Sequence, residues 1–177
     1  MIKKILLGLL VIILIFLGYV STREGKFRYE YSEVIHAPAD KVFEMMSDFK
    51  KGSLWSPFER VDPTMKKTYL GTDGQVGSVL EFDGNKEAGS GKLEMLKLVP
   101  NEAVDIRLIM TKPFKADNLI EYRLKPEGDG TRFTWSLSGD GGFPNKLITL
   151  FIDCEKMVVD QFKKGIANLK PLVETKP

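Results

Sequence analysis

The side chains that perform most acid–base, nucleophilic and metal chemistry are scarce in this sequence. His36 is the single histidine and Cys154 the single cysteine among 177 residues. A histidine at the end of a predicted strand is expected to be solvated, and a lone cysteine in an apolar stretch is expected to pack as a small side chain within a helix. Metal sites and disulfides need several such residues. The sequence therefore predicts no metal, no disulfide and no nucleophile paired with an imidazole base.

Carboxylates are the remaining candidates for acid–base chemistry. Glu81, Asp105 and Glu121 alternate with apolar residues in predicted strands and are expected to face solvent. Glu94 and Asp153 are harder to assign to a face, so they are kept as the candidate pair for proton transfer on a bound substrate. No catalytic motif and no bound cofactor are predicted.

An unbroken apolar run, residues 5–20, follows Lys3 and Lys4 near the start of the chain. Thirteen of its sixteen residues are Leu, Ile, Val or Phe. At ~1.5 Å per residue the run reaches about 24 Å, which suits either a signal peptide or a short membrane anchor. No Ala-x-Ala cleavage pattern follows, so an uncleaved anchor is favoured. The preceding lysines predict a single-pass protein whose domain lies outside the cytoplasm, in the bacterial cell envelope.

Charge is balanced beyond this run. All 24 acidic residues and 24 of the 26 basic ones lie after residue 20. Nucleic-acid binding needs a basic footprint that displaces counterions, and here only short pairs such as Lys66-Lys67 occur. The sequence predicts no nucleic-acid partner.

One domain is predicted after the anchor, because about 155 residues suit a single core. The expected division is an anchor at 1–22, a linker at 23–28, the domain at 29–173 and a tail at 174–177. Two short helices are predicted between the first strand and Leu54. Short turns imply antiparallel neighbours among the predicted strands, which are 29–36, 66–70, 77–83, 87–99, 103–111, 116–125 and 131–138.

The C-terminal segment has helical periodicity. Apolar residues recur at steps of three or four between about residues 145 and 170: Leu147, Phe151, Cys154, Val158, Phe162, Ile166 and Leu169. We predict one long amphipathic helix that is ended by Pro171 and covers the apolar face of the sheet. Gly165 within it indicates either a close backbone approach or a gap. The predicted fold class is α+β, with a curved antiparallel sheet wrapped around this helix.

Several short motifs, taken in order, resemble one known superfamily. They are Ile35-His36-Ala37-Pro38, Trp55-Ser56-Pro57-Phe58, Asp62-Pro63-Thr64-Met65, Lys112-Pro113-Phe114, Thr131-Arg132-Phe133-Thr134-Trp135 and Gly165-Ile166-Ala167-Asn168-Leu169-Lys170. Over about residues 29–173 the chain resembles the START and Bet v allergen superfamily (SRPBCC), in its polyketide cyclase/dehydrase-like branch. The resemblance implies a helix-grip fold whose cavity, in many members, holds a lipid, sterol, polyketide or other apolar molecule. It implies no particular activity, because binding proteins and enzymes share the scaffold.

A set of apolar side chains would line such a cavity, although the same residues would equally fill a solid core. The Tyr122 hydroxyl and the Trp135 indole N–H are the candidate polar contacts. The candidate ligand-binding residues are Trp55, Phe58, Leu80, Phe82, Ile106, Leu108, Met110, Ile120, Tyr122, Phe133, Trp135, Phe151 and Met157.

Three functions are consistent with the sequence. The first is a membrane-tethered module that binds a small hydrophobic molecule without covalent chemistry. The alternative is a cyclase/dehydrase-like enzyme, which requires two titratable side chains that converge in the cavity. A second alternative is an envelope protein-interaction domain, which predicts a packed core and an exposed apolar patch.

Overall fold

The chain forms an N-terminal helix, a seven-stranded antiparallel sheet and a set of helices packed against the sheet. The computed structural model describes residues 2–174, so residues 175–177 of the predicted tail lie outside the described range. The helices are α1 (Ile2–Ser21), α2 (Ala39–Met46), α3 (Phe49–Gly52), α4 (Gly142–Ile148) and α5 (Cys154–Val173), with a 3₁₀ turn at Pro57–Arg60. The predicted pair of short helices after the first strand is confirmed.

All seven predicted strands are present, and all pair antiparallel. Their spatial order is β1-β7-β6-β5-β4-β3-β2. The first strand begins at Lys26, inside the predicted linker, because Phe27 continues the alternation of the strand and pairs with Gly139. The bounds are β1 (Lys26–Ile35), β2 (Lys66–Leu70), β3 (Val79–Asp83), β4 (Ser90–Val99), β5 (Ala103–Lys112), β6 (Ala116–Glu127) and β7 (Gly130–Asp140).

Register determines which side chains share the concave face of the sheet. Trp135 of β7 lies opposite Tyr31 of β1 and Tyr122 of β6, and Tyr122 lies opposite Val104 of β5. Directly opposite residues point to the same face. Irregular register between Ser90 and Gly91 and between Met95 and Lys97 of β4 adds bend and twist to the sheet. The result is the curved sheet of a helix-grip fold.

The convex face carries the predicted polar side chains. Glu81 is exposed as expected, whereas Asp105 and Glu121 are half-buried. Arg123 contacts both of these carboxylates, and Arg28 also contacts Glu121. The expected solvent exposure of these two carboxylates is only partial, because neighbouring guanidinium groups cover side chains that a strand pattern alone would place in open solvent.

Aromatic rings fill the interior at the end of the sheet where β1 terminates. The Trp135 ring stacks on Phe162 of α5 at a centroid distance of 4.4 Å and meets the Trp55 ring edge-on at 5.3 Å. Tyr122 and Phe133 complete the cluster. The Trp55 indole N–H donates to the Met45 carbonyl at 2.9 Å, which anchors the loop after α3. This part of the interior is solid.

The predicted single C-terminal helix is two helices in the structure. Residues 149–153 interrupt it, because the Asp153 side chain accepts from the Lys156 backbone N–H at 2.9 Å and caps a new helix. Cys154 is therefore the first residue of α5, not a position in a helix interior. Pro171 does not end α5, which continues to Val173, because a proline in the last turn removes only one backbone hydrogen bond.

Asp62 links two loops at one edge of the sheet. Only 5% of its surface is exposed, and it accepts from the Thr64 N–H at 2.9 Å, the Thr64 hydroxyl at 2.7 Å and the Asn85 N–H at 2.7 Å. The Thr64 hydroxyl, followed by the backbone N–H groups of Asn85 and Thr64, holds the pKa of Asp62 below its usual range. The ionised carboxylate thus stabilises the folded state.

Gly165→Ala tests how closely α5 approaches the sheet. A Cβ at this position would lie 2.6 Å from the Trp135 ring and 3.0 Å from Pro57. Alanine is favoured over glycine in a helix by about 1 kcal/mol, but overpacking a filled core costs about 1–3 kcal/mol. We expect net destabilisation in urea unfolding. The matched control is Ala167→Gly, an exposed change in the same helix that should cost about 1 kcal/mol; a Gly165→Ala variant more stable than the parent contradicts the close approach.

Asp62→Asn tests the loop link through its pH dependence. Because the folded pKa is lowered, the stabilisation is complete above the unfolded pKa of ~3.9 and is lost as pH falls through the folded pKa. The variant should therefore be less stable than the parent at neutral pH, and the difference should shrink below about pH 4. Urea unfolding between pH 3 and 7 measures it. The exposed change Asp129→Asn is the control, and a difference that does not depend on pH argues against an ionised Asp62.

Candidate functional site

The two ends of the concave face differ in packing. Toward the Ile35 end most inward side chains are buried in or beside the aromatic cluster. At the Lys26 end they are half-buried, which means that α5 leaves this part of the face open to other molecules. The half-buried inward residues here are Phe27, Tyr29, Leu93, Leu108, Met110, Ile120 and Leu137.

A groove of about 600 Å³ lies at the open end, between the start of β1 and the segment that joins α4 to α5. It is lined by Glu24, residues 26–29, Asn145 and residues 149–155. The Phe27 and Tyr29 rings stack at a centroid distance of 4.9 Å and form an aromatic wall. Leu150, Phe151 and Ile152 face them from the other side. A groove of this volume can hold a small molecule, and the aromatic wall provides its apolar contact surface.

Polar groups of the groove come from both side chains and the backbone, and the polar lining residues include Glu24, Lys26, Arg28, Asn145, Thr149, Asp153 and Glu155. Strand β1 is an edge strand that pairs with β7 alone, so every second residue directs its N–H and C=O groups away from the sheet. The Tyr29 hydroxyl adds one neutral side-chain group. Burial, and then the nearby Cys154, Glu155 and Asp153 side chains, raise the pKa of Tyr29. The groove therefore offers hydrogen bonds to a ligand without a fixed charge at Tyr29.

The groove lies beside the last turn of α1. Val20 is fully buried, the Lys146 ammonium donates to the Ser21 carbonyl at 3.0 Å, and the Asn145 side chain donates to the Gly25 carbonyl at 3.2 Å. Helix α1 itself is long and apolar enough to cross a membrane, a property that signal sequences share. Its twenty residues give about 30 Å, which matches a ~30 Å hydrocarbon core better than the sixteen-residue apolar run does.

The structure separates the predicted cavity-lining residues into three groups. Trp55, Leu80, Ile106, Tyr122, Phe133 and Trp135 are buried in the solid core, whereas Phe82, Leu108, Met110 and Ile120 are half-buried. The exposed members are Phe58, Phe151 at 75% and Met157 at 62%. Of the thirteen, Phe151 alone lines the groove. The ligand-binding role of the others stays a prediction.

Sequence reasoning missed most residues of the groove. Phe27 and Tyr29 belong to an alternating stretch, Phe27, Tyr29 and Tyr31, that would have placed the strand start earlier. Leu150 and Ile152 fall within the segment predicted to be helical. The break after α4 turns that segment toward β1, and no periodic signal marks the break.

The two candidate polar contacts in the core differ from one another. The Trp135 indole N–H is buried without a hydrogen-bond partner among the residues that the structure describes. Burial raises the pKa of Tyr122, so its hydroxyl stays protonated. An unpaired N–H in an apolar core costs free energy, and a hydrogen-bond acceptor that reached it would recover that cost.

The predicted proton-transfer pair does not converge. Glu94 lies on the convex side of β4, where Lys92 is 3.9 Å away and Arg107 is its cross-strand neighbour. Asp153 caps α5 at the groove. His36 is exposed, and its Nδ1 lies 3.3 Å from Asp129. Within residues 2–174 no group of three His, Cys, Asp or Glu side chains is placed to hold a metal ion.

Sequence reasoning also missed an ion pair on the concave side. Lys67 of β2 contacts Glu59 of the 3₁₀ turn, and their side chains are 25% and 11% exposed. Lys67 lies opposite Phe82, which places its side chain on the concave face. The two charges compensate each other, so the pair binds the 3₁₀ turn to the edge of the sheet.

Comparisons with known proteins agree with this architecture. Residues 26–174 match the family described as polyketide cyclase / dehydrase and lipid transport. No curated protein matches the chain. Protein CV1439 from Chromobacterium violaceum is similar in structure at 18% identity and a TM-score of 0.59, over 86% of this chain and 99% of that one.

Two further solved structures show the same fold. The Mll3558 protein from Rhizobium loti is 21% identical with a TM-score of 0.59, over 84% of this chain and 97% of that one. The ginseng major latex-like protein 151 from Panax ginseng is 13% identical with a TM-score of 0.58, over 85% and 99%. At these identities the similarity establishes the fold alone.

The Glu59–Lys67 pair is expected to be structural, and a double-mutant cycle tests this. Lys67→Met leaves the poorly exposed Glu59 carboxylate without its partner, and Glu59→Gln in the same chain removes that cost. We expect a coupling energy of about 1–3 kcal/mol in urea unfolding. The exposed pair Lys156–Asp160, at 2.8 Å, is the control and should couple by less than about 0.5 kcal/mol. Equal couplings would mean that Glu59 and Lys67 do not hold each other and are free for another role.

Proposed function

Because this chain belongs to the polyketide cyclase / dehydrase and lipid transport family, we propose that it is a membrane-tethered module that binds a small apolar molecule. The proposed site is the groove between residues 26–29 and residues 149–155. Binding there uses desolvation and backbone hydrogen bonds and needs no covalent step.

One observation carries this proposal: the groove is an aromatic-walled opening at the less tightly packed end of the domain. Its volume of about 600 Å³ lies within the usual range of ~300–1,000 Å³ for small-molecule sites. The aromatic cluster around Trp135 fills the concave side toward the other end of the sheet, where Trp55 and Phe133 are buried. The groove at the Lys26 end is therefore the site that we propose for a ligand.

The energetics favour a ligand with substantial apolar surface. Burial of about 300 Å² of ligand at ~25 cal/mol per Å² contributes about 7 kcal/mol, against which association costs several kcal/mol. A small polar metabolite does not supply that area. The edge of β1 and the Tyr29 hydroxyl suit a neutral polar group at one end of the ligand.

The tether is α1, which we propose to stay uncleaved in the membrane with the domain outside the cytoplasm. Lys3 and Lys4 support this orientation, because basic residues favour the cytoplasmic side. Contacts between α1 and α4, together with the complete burial of Val20 in the last turn of α1, support a span that is joined to the domain.

The enzyme alternative has weaker support from the same groove. The raised pKa of Tyr29 disfavours the phenolate that a base would need. The Asp153 carboxylate already caps α5, and Arg28 is engaged by Glu30 and Glu121. These side chains are committed to structure, which favours binding over proton transfer.

Ligand binding is tested with residues 23–177, whose folding is first checked by thermal unfolding. Native mass spectrometry should show a co-purifying lipid-like molecule, and fatty acids, phospholipids or polycyclic aromatics should raise the melting temperature. Ile152→Glu, which places a charge in the groove, should abolish the shift, whereas Val76→Glu should not. Val76 is a matched control because it is 59% exposed and lies in the loop before β3, at the opposite end of the sheet. Absence of both a bound molecule and any thermal shift would sink the proposal.

A further inference from the structure

Exposed aromatic side chains gather at one end of the sheet. Within residues 22–174 the exposed phenylalanines are Phe58, Phe114, Phe143 and Phe151, and three of the four, all but Phe58, lie in the loops and helix at the Lys26 end. Phe114 is 73% exposed and Phe151 is 75% exposed. Ile148 and Ile152 are exposed beside them. We call residues 112–115 and 143–152 the rim.

Strand register places the two parts of the rim at the same end of the sheet, the Lys26 end. Lys26 pairs with Asp140, Gly139 pairs with Asn118, and Ala116 pairs with Met110. The tip of the β5–β6 hairpin therefore projects beyond the sheet at the Lys26 end, where β1 begins and β7 leads into α4. With strands ~4.8 Å apart, the hairpin lies about 10–15 Å from β1.

The short link between α1 and β1 keeps the Lys26 end of the sheet close to the end of α1. Five residue steps separate Ser21 from Lys26, and an extended chain covers at most about 18 Å in that distance. The Gly141 N–H donates to the Gly25 carbonyl at 3.2 Å, so the start of α4 is joined directly to this link. Wherever α1 crosses a bilayer, the rim is within reach of the bilayer surface.

The loops at the two ends of the sheet also differ in chemistry. Lys112 and Lys115 flank Phe114 at the hairpin tip, an arrangement of apolar and basic residues that suits a lipid headgroup region. The turns at the opposite edge, residues 100–102 and 127–130, are acidic or polar and contain no aromatic residue. Exposed apolar residues at the opposite end, such as Leu54 and Val76, are aliphatic, so the aromatic residues favour the rim as the part that faces lipid.

We propose that the rim lies in the headgroup region of the bilayer that α1 spans, with Phe114 and Phe151 inserted and Lys112 and Lys115 beside anionic headgroups. This inference rests on the proposed tether. Phe151 also lines the groove, so the mouth of the groove opens at the bilayer surface. The ligand is then a lipid taken directly from the bilayer and not a molecule collected from water.

Quenching of introduced tryptophans tests this in the full chain. Phe114→Trp and Phe151→Trp are reconstituted separately into phosphatidylcholine vesicles with and without phosphatidylglycerol, in which a fraction of the acyl chains is brominated. The native Trp55 and Trp135 are 1% and 2% exposed in the core and supply a constant background. Val76→Trp at the opposite edge is the matched control. Emission from both rim tryptophans should shift to the blue and be quenched, and emission from the control should not.

The outcomes separate the rim from the proposed function. If the chain floats with the vesicles but Phe114→Trp is quenched no more than Val76→Trp, the proposed insertion of the rim is wrong and the proposed tether stands. Failure to float overturns the tether and the rim together, whereas ligand binding by the groove is measured independently. Because Phe114 lies outside the groove, its quenching cannot come from groove-bound lipid. Lys112→Gln with Lys115→Gln should weaken the quenching in anionic vesicles only, and an equal effect in neutral vesicles would contradict the role of the lysines.

Discussion

The stacking of α5 on the centre of the sheet determines where this domain has space for another molecule. Phe162 and Gly165 bring the helix against Trp135 so closely that a single added methyl group would overlap the ring. The contact closes the Ile35 end of the interior. The groove lies where the helix has not yet begun, at the Lys26 end.

The start of α5 therefore matters as much as its packing. Asp153 caps the helix and separates it from α4, so that residues 149–153 turn beside β1 in place of crossing the sheet as one continuous helix. The same break exposes Phe151 and forms one wall of the groove. A continuous helix would have hidden these side chains against the sheet.

Local signals predicted the fold well but predicted the site poorly. Alternation and turn residues located each strand, since a period of two and a Gly or Pro turn are properties of a few adjacent residues. The apolar spacing from Leu147 to Leu169 continues through residues 149–153, so only the Asp153 cap distinguishes two helices from one. Whether Trp135 or Leu108 faces empty space depends on how deeply α5 packs, and that depth comes from Gly165 and from contacts far apart in sequence. The pairing of Lys67 with Glu59 is likewise a tertiary outcome.

The source of the ligand changes what the groove must supply. A molecule taken from water gains free energy when its apolar surface is buried, but a lipid that leaves a bilayer exchanges one apolar environment for another and gains little from that term. Binding from the bilayer then depends on hydrogen bonds and shape. The free edge of β1, the protonated Tyr29 and the stacked Phe27 ring supply those contacts beside α1. If the rim rests in the bilayer, selectivity among lipids therefore resides in the polar end of the ligand, and the aromatic wall only holds the chain that follows it.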